Sequence, residues 1–111
     1  MIDKDRVYLK HILDCIHLIM SYTDGMSEQE FISHLMAQDA VIRNFEIIGE
    51  ATKLISEPTR IENNAVPWKK MAGMRDKLIH DYMGVDLEVI WKTIHDILPS
   101  LEKDIENILN A

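Results

Sequence analysis

Apolar residues recur along the chain at spacings of three and four, the signature of helices that bury one face. Between Asp3 and Tyr22, Leu9, Ile12, Leu13, Ile16, Ile19 and Met20 form such a stripe, and Thr23-Asp24-Gly25 ends it. Ser27-Glu-Gln-Glu30 then has the form of a capping box, in which Ser27 accepts from a free backbone N–H and Glu30 reaches back. The pattern predicts a short helix near 28–34 and a long one near 36–56, whose buried stripe would contain Met36, Ala40, Val41, Ile48, Ala51 and Ile55. The polar stretch from Glu57-Pro58 to Ala65-Val66 is expected to be the longest loop. Pro67 suits the first turn of a further helix running to about Tyr82, and Gly84 a stop behind it. Asp86 suits the N-cap of a last helix carrying Leu87, Ile90, Trp91, Ile94, Leu98, Leu101, Ile105, Ile108 and Leu109, which Pro99 should kink or divide.

Four to six helices with mostly short connections make an all-α, up-and-down helical bundle, with residues 1–111 as a single domain. Composition agrees, since 4 Gly and 3 Pro are too few for a sandwich or barrel that turns every ten residues or so. Tyr8, Cys15 and Leu18 widen the apolar face of the first helix beyond its main stripe. A helix apolar over that much of its circumference is either central or covered by another subunit, so a homodimer or larger homo-oligomer is expected. One cysteine forms no internal disulfide, and no apolar run approaches the length of a membrane span, so a cytoplasmic protein without a membrane anchor is expected. The net charge of −7 argues against broad coating of nucleic acid and leaves room only for a local basic site.

Residues 69–82 supply that site: Lys-Lys-Met-Ala-Gly-Met-Arg-Asp-Lys-Leu-Ile-His-Asp-Tyr. On an ideal helix, with Arg75 at zero, Asp76 lies near 100°, His80 near 140° and Tyr82 near −20°, while Met71, Met74 and Leu78 cluster between about 260° and 320°. The polar motif and the core stripe therefore face opposite ways. From Lys69 to Lys77 four cations stand against one anion, a local excess of positive charge suited to a phosphate. Arginine offers a planar fork for that phosphate, and histidine is the side chain that exchanges protons near neutrality. Such a pair suits phosphodiester transfer in which the ribose 2′-hydroxyl is the nucleophile and no metal is needed. One Arg-His pair is half a site, and a twofold interface could supply the other half. Taken alone, an Arg, a His and a Tyr near a helix C-terminus are more often capping residues that complement the helix dipole.

Three blocks carry a resemblance across about residues 3–105: Gln38 to Ala51, Val66 to Tyr82, and Gly84-Val-Asp with Ile90-Trp-Lys-Thr. The chain resembles the HepT-like toxins of the HEPN superfamily, whose R-x-x-x-x-H-x-Y motif falls on Arg75, His80 and Tyr82, with Asp76 as the polar residue after the arginine. The resemblance implies a helical bundle that dimerises with two motifs facing one cleft, and metal-independent endoribonuclease activity on RNA without a cofactor. It also implies a partner, a minimal nucleotidyltransferase antitoxin of the MntA type that transfers AMP from ATP to the motif tyrosine, here Tyr82. On this basis His80 is expected to act as general base or acid, Arg75 as the cation for phosphate and transition state, and Asp76 to orient His80 across one turn. Lys69, Lys70 and Lys77 would steer RNA. The alternative is a non-catalytic HEPN binding module that holds nucleotide or docks a nucleotidyltransferase.

Other features are set aside at this point. His11 and Cys15 have metal-ligand spacing but no visible third ligand, and no metal is expected. His17, His34 and His95 show no companions in any metal or nucleophile pattern. Met71, Met74 and Trp91 fall at core spacing, Trp68 is expected to pack the long loop onto the bundle, and the acidic run Glu102–Glu106 reads as a solvated helix face.

Overall fold

Helix α1 (Asp3–Thr23) places Asp3 and Asp5 in its first turn, where carboxylates oppose the free amide groups of the helix start. It buries Leu9, Ile12, Cys15, Ile16 and Ile19 and stops where expected. Gly25 adopts φ 73°, which costs a residue without Cβ nothing, and the reversed chain lets Met26 N–H donate to the Thr23 carbonyl. Both halves of the capping box form at α2 (Glu28–Ile32): Ser27 Oγ accepts from Glu30 N at 3.1 Å and Ser27 N donates to Glu30 Oε1 at 3.2 Å. The computed structural model describes the backbone of residues 1–79 and 86–111, with the side chains of all of these except 75 and 77–79.

Helix α3 (Leu35–Lys53) follows, and its buried stripe runs through Ala37, Val41, Phe45, Ile48 and Ala51. Met36, expected in that stripe, is instead 79% exposed. It lies about 100° around the helix from Ala37, which is buried in the same turn, and so falls off the buried stripe. The second departure is α4 (Glu57–Glu62), a helix where a loop was expected. Pro58 stands in its first turn, where the missing N–H is not needed, and the rest of its support comes from distant residues. Asp5 on α1 accepts from Ser56 N at 2.9 Å, Ser56 Oγ at 2.5 Å and Thr59 Oγ1 at 2.6 Å. Arg60 donates to the Thr52 and Lys53 carbonyls at 3.0 and 3.1 Å, covering the open C-terminal end of α3.

Helix α5 (Trp68–Ile79) begins directly after Pro67, and its expected last turn to Tyr82 and the Gly84 stop lie outside the described residues. Asp86 caps α6 (Leu87–Asp96) as expected, accepting from Glu88 N and Val89 N. Pro99 divides the final segment, so that α7 (Leu98–Asn110) starts anew with proline in its first turn. The described residues thus form seven helices and no strand; α4 raises the count above the four to six expected.

α3 lies at the centre, packed on α1 along one side and on α5 along another; α7 packs on α1 and α6, and α2 sits between α3 and α6. Leu9, Ile12, Ile16, Ile19, Phe45, Ile48, Met71, Ile90, Leu98, Leu101 and Ile105 are almost wholly removed from water. Each such side chain contributes about 1.5–3 kcal/mol by burial, so these helix pairings rather than local propensity hold the bundle. The broad apolar face of α1 is largely used within the chain: Cys15 is buried and Tyr8 half-buried, while Leu18 stays 43% exposed. None of the described helices is long and apolar enough to cross a membrane.

Candidate functional site

The start of α5 is fixed by a chain of contacts that the sequence only hints at. Trp68 is buried, and its indole Nε1 donates to the Asn63 carbonyl at 3.0 Å, tying the end of α4 to the first turn of α5 as expected of it. Met71 is fully buried and Met74 partly so, both facing an apolar groove with Phe45, Ile90 and Leu101. That orientation leaves Asp76 on the outside, half exposed, in agreement with the helical phase drawn from the sequence.

Asp76 does not stand alone there. Lys53 at the end of α3 brings its Nζ to 3.9 Å from Asp76 Oδ1, with both side chains about half exposed. The α3–α5 packing therefore adds a cation beside the residue that follows Arg75, a neighbour that no spacing rule on α5 could reveal. Arg75 and Lys77 are carried by α5, whereas His80 and Tyr82 lie outside the described residues. Lys69 and Lys70 are exposed and, together with Arg60, Pro67 and Trp68, border a shallow surface depression. Arg60, Lys69 and Lys70 thus gather cations on one flank of a chain that is acidic as a whole.

The histidines set aside have specific places. His34 Nδ1 accepts from Ala37 N at 3.1 Å, so this residue is the N-cap of α3. His95 packs against Trp91, with ring centroids 4.2 Å apart, and Trp91 in turn meets Phe31. His17, read from the sequence as lacking companions, lies 3.0 Å from Glu102 and 3.8 Å from Glu106 on α7. The sequence did hold half of that signal, because Glu102 and Glu106 are one turn apart and share a face. Cys15 is buried; burial, and then the charge of Asp14, push its thiol upward and keep it from being a ready metal ligand or nucleophile.

A family model described as "Ribonuclease HepT-like" matches residues 12–108, which include α3, the whole of α5 and the R-x-x-x-x-H-x-Y motif. The chain belongs to this family. Among the HepT-like relatives, the Thermococcus cleftensis protein named "Probable ribonuclease HepT" is 44% identical over 101 residues, spanning 91% of this chain and 92% of its own length. A Caldanaerobacter subterraneus protein named "Putative RNase TTE0752" is 43% identical over 104 residues, spanning 94% and 93%. The fold is also that of a solved HEPN toxin of Shewanella oneidensis, described as tri-AMPylated and in complex with an MNT antitoxin, with a TM-score of 0.71, 24% identity and full coverage of both chains. In this HepT-like chain α5 is at once a structural member of the bundle, through Met71 and Met74, and the carrier of Arg75 and Asp76.

Proposed function

We propose that this HepT-like chain is the toxin of a type VII toxin–antitoxin pair. In this reading it is a cytoplasmic, homodimeric and metal-independent endoribonuclease, residues 1–111 act as one HEPN-like domain, and AMP transfer to Tyr82 silences it. Family membership across residues 12–108, with the complete motif inside that span, carries the reading. The names of the relatives support the nuclease part, and the described state of the Shewanella toxin supports the nucleotidyltransferase partner.

The chemistry requires little beyond the motif. The 2′-hydroxyl of the RNA attacks the adjacent phosphorus, His80 takes its proton or protonates the leaving 5′-oxygen, and Arg75 balances the charge that builds on the phosphate. The product is a 2′,3′-cyclic phosphate, and no metal enters. A twofold dimer supplies the second His80, so that one acts as base and the other as acid. Asp76 orients His80 from one turn away, with Lys53 Nζ 3.9 Å from the Asp76 carboxylate. Lys69, Lys70 and Lys77 draw the RNA backbone to this flank. Adenylation joins the Tyr82 phenol oxygen to the α-phosphorus of ATP and releases pyrophosphate. The bound adenylate then occupies the cleft and repels RNA by its negative charge. Exposed apolar side chains on α1, Val7, Leu18 and Tyr22, are available for the subunit contact.

The test is incubation of unmodified protein and its His80→Ala variant with labelled RNA in excess EDTA. Cleavage by the first alone, leaving 2′,3′-cyclic ends, is the expected result. Intact mass after incubation with the antitoxin and ATP should rise for the wild type and not for Tyr82→Phe. A monomeric mass by light scattering at micromolar concentration removes the composite site. Absence of cleavage by AMP-free protein leaves the non-catalytic binding module, the reading that the net charge of −7 favours.

A further inference from the structure

On the surface seam between α1 and α7, His17 meets Glu102 and Glu106, 85 and 89 residues further along the chain. The imidazole Nε2 lies 3.0 Å from Glu102 Oε2 and 3.8 Å from Glu106 Oε1, and the three donor atoms fall within 4.8 Å of one another. We propose that these three side chains form a binding site for a divalent transition-metal ion of the zinc type, one that clips α7 to α1.

Three observations carry this. The first is the donor set. One imidazole nitrogen and two carboxylate oxygens are ligands that zinc accepts at about 2.0–2.2 Å, which places neighbouring donors around 3–3.5 Å apart. The separations found here differ from that by less than a side-chain rotation. The second is the support of the ligands. Glu102 and Glu106 lie one turn apart on α7 and both point to His17, and Glu102 is only 28% exposed, so two helices already bring the donors together before any ion arrives. The third is charge. Like charges one turn apart on a helix repel, and among the described residues no lysine or arginine pairs with either glutamate. A dication answers both carboxylates at once. The imidazole selects zinc, cobalt or nickel over magnesium and calcium, which favour all-oxygen shells. His17 and Glu106 stay about half exposed, so water completes the coordination sphere. Such a site is structural. It lies on α1 and α7, and Arg75 of the proposed nuclease motif on α5, so an enzyme that cuts RNA in EDTA can also carry it.

The experiment uses untagged full-length protein and ZnCl2. Isothermal titration should give one saturable zinc per chain, and Co2+ should show d–d absorption on binding that excess Zn2+ abolishes. Thermal unfolding should rise by roughly 10 °C when free zinc exceeds its Kd a hundredfold. His17→Gln and Glu106→Gln should each remove the zinc-dependent shift while leaving the circular dichroism spectrum and the zinc-free midpoint close to wild type. The proposal is overturned if the wild type shows no saturable binding up to millimolar zinc, which leaves the trio as a plain ion-pair cluster. It is equally overturned if His17→Gln binds zinc as the wild type does. Magnesium that shifts the midpoint as zinc does would overturn the assignment of metal type.

Discussion

Replacing Asp5 by alanine should be among the most damaging single changes to this fold, although the residue sits in the first turn of the first helix and looks from the sequence like a surface charge. The side chain is 1% exposed and its carboxylate accepts from Ser56 N, Ser56 Oγ and Thr59 Oγ1. Hydrogen bonds to a charged acceptor are worth about 1.5–3 kcal/mol each but do not add fully, and water can reach the half-buried Ser56, so about 3 kcal/mol is expected for Asp5→Ala. Unfolding entropies of about 2.1 cal/mol/K per residue over 111 residues turn this into a fall in Tm of roughly 13 °C. Asp5→Asn keeps one acceptor but loses the charge, and about 1–2 kcal/mol is expected. Burial by itself would raise the Asp5 carboxyl; the Ser56 and Thr59 hydroxyls, the Ser56 amide and the terminal ammonium outweigh it and hold the group below its ordinary 3.8. A depressed carboxyl stabilises the fold fully above the unfolded value and loses that contribution as pH falls through the folded one. The gap between wild type and Asp5→Asn should therefore be constant from about pH 5 to 8 and narrow below pH 3.8. Urea unfolding followed at 222 nm across that range measures it, with Thr59→Val and the double variant closing a cycle whose coupling should be about 1 kcal/mol or more. An Asp5→Ala protein within 0.5 kcal/mol of wild type at pH 7, or a gap that widens in acid, would refute the reasoning.

Three further outcomes are expected. Met36→Gln should leave stability within about 0.5 kcal/mol of wild type by urea unfolding, whereas Ile48→Ala, fully buried on the same helix, should cost about 2–5 kcal/mol. Arg60→Met removes both hydrogen bonds that Arg60 Nη2 donates to the last carbonyls of α3 and should lower stability by about 1–2 kcal/mol, with faster amide exchange confined first to α4 and the end of α3. Lys53→Met should hardly move Tm, because an exposed pair at 3.9 Å contributes about 0–1 kcal/mol, but should lower kcat/KM for RNA about two- to fivefold if its charge serves the site.

Local rules written into neighbouring residues were legible from the chain alone. The Gly25 stop, the Ser27–Glu30 capping box, the Asp86 cap and the break at Pro99 each depend on contacts within about four residues, and each stands where the pattern put it. The same holds for Asp76 opposite Met71 and Met74 on α5, since helical phase needs no knowledge of what the faces meet. The motif residues Arg75, His80 and Tyr82 were visible as a spacing, and the family they belong to followed from blocks spread over most of the chain. What tertiary structure decided is the set of contacts between distant segments. Glu57–Glu62 is a helix because Asp5, more than fifty residues earlier, accepts from its first turn, and a polar sequence with proline at its head does not reveal that acceptor. Met36 is exposed because it stands about 100° off the stripe that starts at Ala37, and which of two neighbouring first-turn positions faces the bundle is set by packing. Lys53 reaches Asp76, and His17 reaches Glu102 and Glu106, for the same reason. Periodicity fixes which side of a helix is buried, but the partners on the other side are chosen by packing, and only packing brings such residues within a few ångströms.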